Sequence, residues 1–142
     1  MKKQIRPSQP VFLAKNYKKW ASNWKKLRDK QGTNASFQWA KYDKERINIK
    51  ITKLLLDNMT QGHCSFCDGY PIESTGVTLE HFKPKSAYSL LAYTWNNLYP
   101  CCNKCQEKGD FYSWLLLNPD NSSYDFYDYF KRLFRIRLCG RV

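Results

Sequence analysis

The chain has 142 residues, enough for one domain with a modest core and a flanking helical element. Its 16% aromatic content, beside plentiful Leu, Ile and Val, argues against a disordered chain. The net charge of +12 points to a polyanionic partner, most simply nucleic acid, although a basic ribosomal or membrane-surface protein would share that signal.

The charge is uneven. Residues 1–60 carry a net +11, residues 61–120 a net −2 and residues 121–142 a net +3. The expected organisation follows: a basic arm and helices over 1–60 that grip the polyanion, a module over 61–120 that carries the chemistry, and a tail over 121–142. No apolar run approaches the roughly 18 residues of a membrane span. The first residues contain no apolar stretch long enough for an export signal. The expected location is therefore a reducing cytoplasm, where six cysteines are more readily metal ligands than disulfides.

In chain order, residues 1–13 read as an extended arm, because Pro7 and Pro10 disfavour helix. Over 15–29 the residues Tyr17, Trp20, Trp24 and Leu27 recur at helical spacing among lysines, which predicts an amphipathic helix that breaks at 31–34. A second helix is predicted from Ser36 as N-cap to about Asn58, with Phe37, Ala40, Ile47, Ile51 and Leu54 as its buried stripe. Its opposite, basic face is either plain solvated surface or a phosphate contact. Residues 74–76 read as a turn before a short strand at 77–79. The run from 102 towards 114 reads as helical, residues 118–121 as a breaker, and 124–142 as one further helix or strand. Trp95 and Trp114 are expected in the core.

Cys64-Ser65-Phe66-Cys67 and Cys102-Asn103-Lys104-Cys105 form two CxxC knuckles. Together they can offer four thiolates to one tetrahedral Zn²⁺ in a closed, structural site. The 34 residues between the knuckles exceed the usual gap, so a functional insert lies between them. Cys101 and His63 are neighbouring alternatives as ligands, but the pair Cys102/Cys105 keeps the two-residue spacing. Cys139 stands alone and reads as an ordinary thiol.

The insert contains Leu79-Glu80-His81-Phe82-Lys83-Pro84-Lys85 and Trp95-Asn96-Asn97-Leu98. With the two knuckles, Gln106 and Lys108-Gly109, this order resembles the zinc-stapled HNH endonucleases, which carry a ββα-metal site. The EHFKPK, WNNL and KGD strings are similar to those of a bacterial subgroup associated with retrons and Septu-type anti-phage systems, whose members continue beyond the point where this chain stops. The resemblance implies an α+β fold: a small ββα-metal HNH module over 61–120 with a Cys₄ zinc staple, preceded by basic helices.

It also implies a metal-dependent phosphodiesterase acting on nucleic acid, by family habit DNA, and leaving 5′-phosphate and 3′-hydroxyl ends. The chemistry independently wants these residue types. His81 titrates near neutrality and suits a general base. Glu80 offers a hard oxygen to Mg²⁺ or Mn²⁺. By resemblance Asn97 orients the His81 loop. The third family position, usually Asn or His, holds Gln106; Asp110, four residues on, would share its face if both lay on one helix. Glu80, Gln106 and Asp110 are thus the expected cation ligands, and Lys83, Lys85 and Lys108 the expected phosphate contacts. The alternative is a non-catalytic zinc-stapled nucleic-acid-binding module whose site has decayed at Gln106. A subunit active only beside an ATPase partner is compatible with either reading.

Overall fold

The computed structural model describes residues 3–129 except 108, 111 and 115. The first helix, α1, spans Val11–Gln31, longer at both ends than the periodicity implied. Pro10 ends the arm, and its carbonyl accepts the N–H groups of Leu13 and Ala14. Gly32 stops the helix at φ 58°, a left-handed value that a Cβ disfavours. α1 buries Leu13, Ala21 and Trp24, while Lys15, Lys18, Lys19, Lys25, Lys26 and Lys30 stay exposed on its other side.

The second helix does not begin at Ser36. Residues 35–40 are extended, followed by a tight hairpin of β1 (Lys41–Tyr42) and β2 (Glu45–Arg46). Asp43 and Lys44, at φ 50° and 67°, supply the left-handed pair that such a two-residue turn requires. Helix α2 spans only Ile47–Leu55 and is followed by a π-helical turn over Leu56–Thr60. Helical spacing was real over 47–55, where Ile47, Ile51 and Leu55 are buried and Leu54, expected in the stripe, is only half-buried; Phe37 and Ala40 belong to the extended segment.

The expected strand is longer than 77–79. β3 (Val77–His81) pairs antiparallel with β4 (Leu98–Cys102), in register Val77 with Cys102 and His81 with Leu98. The short helix α3 (Asn103–Gln106) follows directly, so β3, β4 and α3 make a ββα unit. Gly76, at φ 79°, lies against the Asn103 side chain, so a Cβ there would both strain the backbone and clash. The predicted helix towards 114 ends at Gln106: Gly109 adopts φ 57°, and the chain turns away. Trp95 is buried as expected, whereas Trp114 is 83% exposed and does not join the core. A final short helix, α4 (Phe126–Tyr129), begins the tail; the rest of the 124–142 prediction, Cys139 included, lies outside the described residues. One core joins Leu13, Trp24, Ile47, Ile51 and Leu55 to Leu79, Phe82, Tyr93, Trp95, Leu98 and Tyr99.

The arm is not a loose polycation. The side chain of Arg6, 8% exposed, pairs with Asp120 and donates to the carbonyls of Trp95 (2.8 Å) and Leu98 (2.9 Å). Its guanidinium also lies 4.4 Å from the centroid of the Tyr99 ring. Gln4 donates from its backbone to Pro119 and from its side chain to Ser65, and Trp95 Nε1 donates to Pro7. Arg6 is therefore committed to holding the arm and the 118–120 turn onto β4, and is not part of an exposed gripping surface.

Candidate active site and metal centre

The metal centre is built by three local elements. Cys64 and Cys67 lie in the loop after α2, Cys102 ends β4, and Cys105 lies one helical turn later on α3. Their four sulfurs lie within 4.8 Å of one another. Cys67 and Cys102 Sγ are 3.8 Å apart, the edge expected of a tetrahedron with Zn–S bonds of about 2.3 Å. The four cysteines can therefore hold a metal ion such as zinc, and the donor set fits it in number, softness and spacing.

The neighbouring alternatives stand outside this set. Cys101 is fully buried on the other face of β4 against Thr78 Oγ1, 3.3 Å away, and burial pushes its thiol up to about 12. His63 turns its Nδ1 to the carbonyl of Asp68 at 3.0 Å and packs on Tyr70. Within the cluster, burial works against ionising Cys102. Hydrogen bonds from the Cys105 backbone and from the thiols of Cys105, Cys64 and Cys67 outweigh it, bringing Cys102 down to about 7. One thiolate is thus already favoured among thiols that a metal would deprotonate in turn.

Above the ββα unit a cleft of about 340 Å³ is lined by Glu80, His81, Pro84, Lys85, Asn103, Gln106, Glu107, Gly109 and Asp110. Adjacent strand residues normally face opposite ways, yet Glu80 and His81 border the same cleft, at the point where β3 ends. Both are buried, at 8% and 4% exposure, while Gln106 and Asp110, which also line the cleft, are exposed. Gln106 and Asp110 do not share a helical face, because α3 stops between them; the turn at Gly109 brings Asp110 to the cleft instead. Asn103 and Glu107 line it too, and the sequence reading passed over both.

His81 is held at several points. Its Nε2 lies 2.9 Å from the carbonyl of Ala92 and, since a carbonyl only accepts, carries the proton. The neutral ring bonded this way has Nδ1 as its basic nitrogen. Trp39 stacks on the imidazole at 5.1 Å and 8° between planes, and Phe37 meets it edge-on at 5.5 Å. Neither aromatic was singled out in the sequence for this role. The signal was present as Phe37-x-Trp39, the period of two that places side chains on one face of an extended segment.

Asn97 sits immediately before β4 and is 5% exposed. Its Oδ1 accepts the backbone N–H of Lys83 at 2.7 Å, and its Nδ2 donates to the carbonyls of Lys83 and Leu91, each at 3.0 Å. Its own carbonyl accepts the N–H of Phe82. One side chain thus ties the loop after His81 to the segment before Ala92. Among the three lysines, Lys85 lines the cleft. Lys83 places its Nζ 5.6 Å from the rings of both Tyr88 and Tyr112. Lys108 lies outside the described residues.

A larger cleft, about 430 Å³, lies between the arm and residues 58–63. Its carboxylate, Asp68, is 3.3 Å from His63, and no second acid lines it, so it lacks the clustered hard oxygens of the cleft at His81. Among the described residues no helix is long and apolar enough to cross a membrane.

No family model matches the chain, and no solved structure does. Among curated proteins it is similar to Septu protein PtuB of Bacillus thuringiensis, 39% identical over 57 residues, which cover 39% of this chain and 22% of that protein. It is also similar to Septu protein PtuB of Bacillus mycoides, 31% identical over 78 residues, covering 46% of this chain and 26% of that protein. The chain spans about a quarter of the length of these relatives, and its similarity to Septu protein PtuB is weak and partial.

Proposed function

We propose that this protein is a metal-dependent endonuclease of the HNH type that acts in bacterial anti-phage defence. The observation that carries the reading is a single cleft lined by a buried carboxylate, a buried imidazole whose Nε2 is bonded to a carbonyl, and further oxygen donors that include Gln106 and Asp110, beside a Cys₄ centre able to hold zinc. The similarity to Septu protein PtuB supports the defence role.

In this reading Nδ1 of His81 takes a proton from water as its oxygen attacks phosphorus, and the P–O3′ bond breaks in line. Glu80, Gln106 and Asp110 supply the hard oxygens that would hold Mg²⁺ or Mn²⁺. When bound, that cation stabilises the charge of the pentacovalent phosphorus and the leaving oxygen. Asn97 keeps the His81 loop in register, Lys85 and Lys83 meet flanking phosphates, and the exposed lysines of α1 add sequence-independent affinity. Double-stranded DNA is the proposed substrate, and an ATPase the proposed partner in the cell.

Plasmid cleavage with Mg²⁺ or Mn²⁺ tests this, comparing wild type with His81→Ala. Wild type is expected to nick and linearise while the variant is slowed by at least about 100-fold, at the lower end of what a general base contributes. Equal cutting by both would sink the mechanism. Salt-sensitive binding without cutting under either cation would favour a binding module with a decayed site, the reading that Gln106 supports.

A further inference from the structure

The imidazole of His81 is fixed by a device that lies outside the ββα unit, and we infer that Trp39 is a positioning residue for His81, held in place by the hydroxyl of Tyr93. This rests on the proposed role of His81 and names a residue on which that role depends.

The geometry is three-sided. The edge of the ring is held by Nε2–H donating to Ala92 O at 2.9 Å. Its face lies on the Trp39 indole, nearly parallel at 8°, and its side is closed by Phe37 at 89°. A hydrogen bond to one carbonyl still lets an imidazole rotate about the N–H···O axis; a flat ring against its face removes that freedom. Trp39 can do this only if its own backbone is fixed, and residues 35–40 form no ladder with a strand.

The N–H of Ile47 holds the far end of this segment at Ala40 O (3.0 Å), and Tyr93 supplies the tether next to Trp39 itself. Its hydroxyl donates to Gln38 O at 3.0 Å and accepts from Ala40 N–H at 3.2 Å, so it bridges the residues on either side of Trp39. Its ring also packs on both Phe37 and Trp39. Ala92 and Tyr93, adjacent in sequence, therefore orient His81 twice over: one carbonyl takes the edge, and the next side chain secures the segment that covers the face. The basic N-terminal region thus contributes directly to the geometry of the cleft, beyond any grip on a polyanion.

The test uses the full zinc-loaded chain with Trp39→Leu, Trp39→Phe and Tyr93→Phe, read by cleavage kinetics and by proton NMR of the two histidine rings, assigned with His63→Asn. Trp39→Leu is expected to lower kcat by about 10- to 100-fold with little change in KM, because misplacing a base costs rate and not binding. Trp39→Phe, which keeps a flat ring, should retain most of kcat. The His81 ring protons should lie upfield in wild type, under the indole ring current, and move downfield in Trp39→Leu. Unchanged kcat, or unchanged His81 ring shifts in Trp39→Leu, overturns the inference. If Trp39→Leu loses zinc or its cooperative melt, Tyr93→Phe decides: a severalfold fall in kcat with a smaller His81 shift change supports the inference, and none overturns it. A wild type that fails to cut under every cation tried refutes the nuclease reading alone, and the His81 ring shifts still decide the positioning claim.

Discussion

Asn97→Asp changes one atom of the side chain and reverses the sense of two hydrogen bonds. The Oδ1 that accepts from Lys83 N–H is kept, but the Nδ2 that donates to the carbonyls of Lys83 and Leu91, each at 3.0 Å, becomes an oxygen facing two oxygens. Each donated bond is worth about 0.5–1.5 kcal/mol net, and a part-buried carbonyl left unsatisfied costs about 1–3 kcal/mol more. Allowing for partial hydration of residues this near the surface, the variant should lose roughly 2–4 kcal/mol at pH 7. In a zinc-loaded chain of this length that is a melting shift of around 10 °C. The defect should carry its own pH signature. The two carbonyls disfavour the charged form of the introduced carboxyl and raise its folded pKa above the unfolded value of about 3.9. A raised pKa gives stability present at low pH and lost as pH rises, so the deficit relative to wild type should shrink on acidification. Asn97→Ala, which cannot titrate, should show no such recovery. Urea unfolding of the three proteins across pH 5–8, each loaded with zinc, measures this. An Asn97→Asp protein within about 0.5 kcal/mol of wild type at pH 7 would refute the claim that this amide ties the two loops together.

Cys102→Ser or a strong chelator should remove one equivalent of zinc and abolish the cooperative transition, since structural zinc contributes on the order of 10 kcal/mol in small domains; bound metal and near-ultraviolet circular dichroism measure both. Arg6→Met should cost about 3 kcal/mol in urea unfolding, because it leaves the buried Asp120 carboxylate without its cation and removes the guanidinium bonds to the Trp95 and Leu98 carbonyls. Were Arg6 merely part of an exposed polycationic arm, the loss would stay below about 0.5 kcal/mol. Burial pushes the Tyr93 phenol up to about 12, so its contribution to stability is complete below the unfolded value near 10 and is lost as pH rises from there through 12. Tyr93→Phe should flatten the fall of stability over that alkaline window.

The metal-binding cluster was legible in the one-dimensional pattern because it depends on residue type at short spacing. Two CxxC pairs can serve one tetrahedral ion whatever the fold between them, and the alternatives Cys101 and His63 were set aside by spacing before geometry excluded them. Local strings also marked Glu80, His81 and Asn97 as candidates, and the structure places the first two at one cleft and Asn97 beneath the loop that follows His81. α1 and the buried stripe of α2 were readable because a packed helix must repeat its apolar residues every three to four positions. The tertiary structure decided what depends on chain direction and on partners remote in sequence. Periodicity ran the second helix back to Ser36 because Phe37 and Ala40 happen to be in phase with Ile47. The left-handed turn at Asp43 and Lys44 and the Tyr93 hydroxyl make that stretch extended instead, and so put Trp39 on His81. Asp110 reached the cleft through a turn at Gly109 and not along a helix. Arg6, basic in sequence like the lysines of α1, was drawn inside because the Asp120 carboxylate and the carbonyls of Trp95 and Leu98 accept its guanidinium there. Spacing along the chain determines which atoms can share an ion or a helix face, whereas burial, ring stacking and long-range hydrogen bonds exist only once distant segments meet.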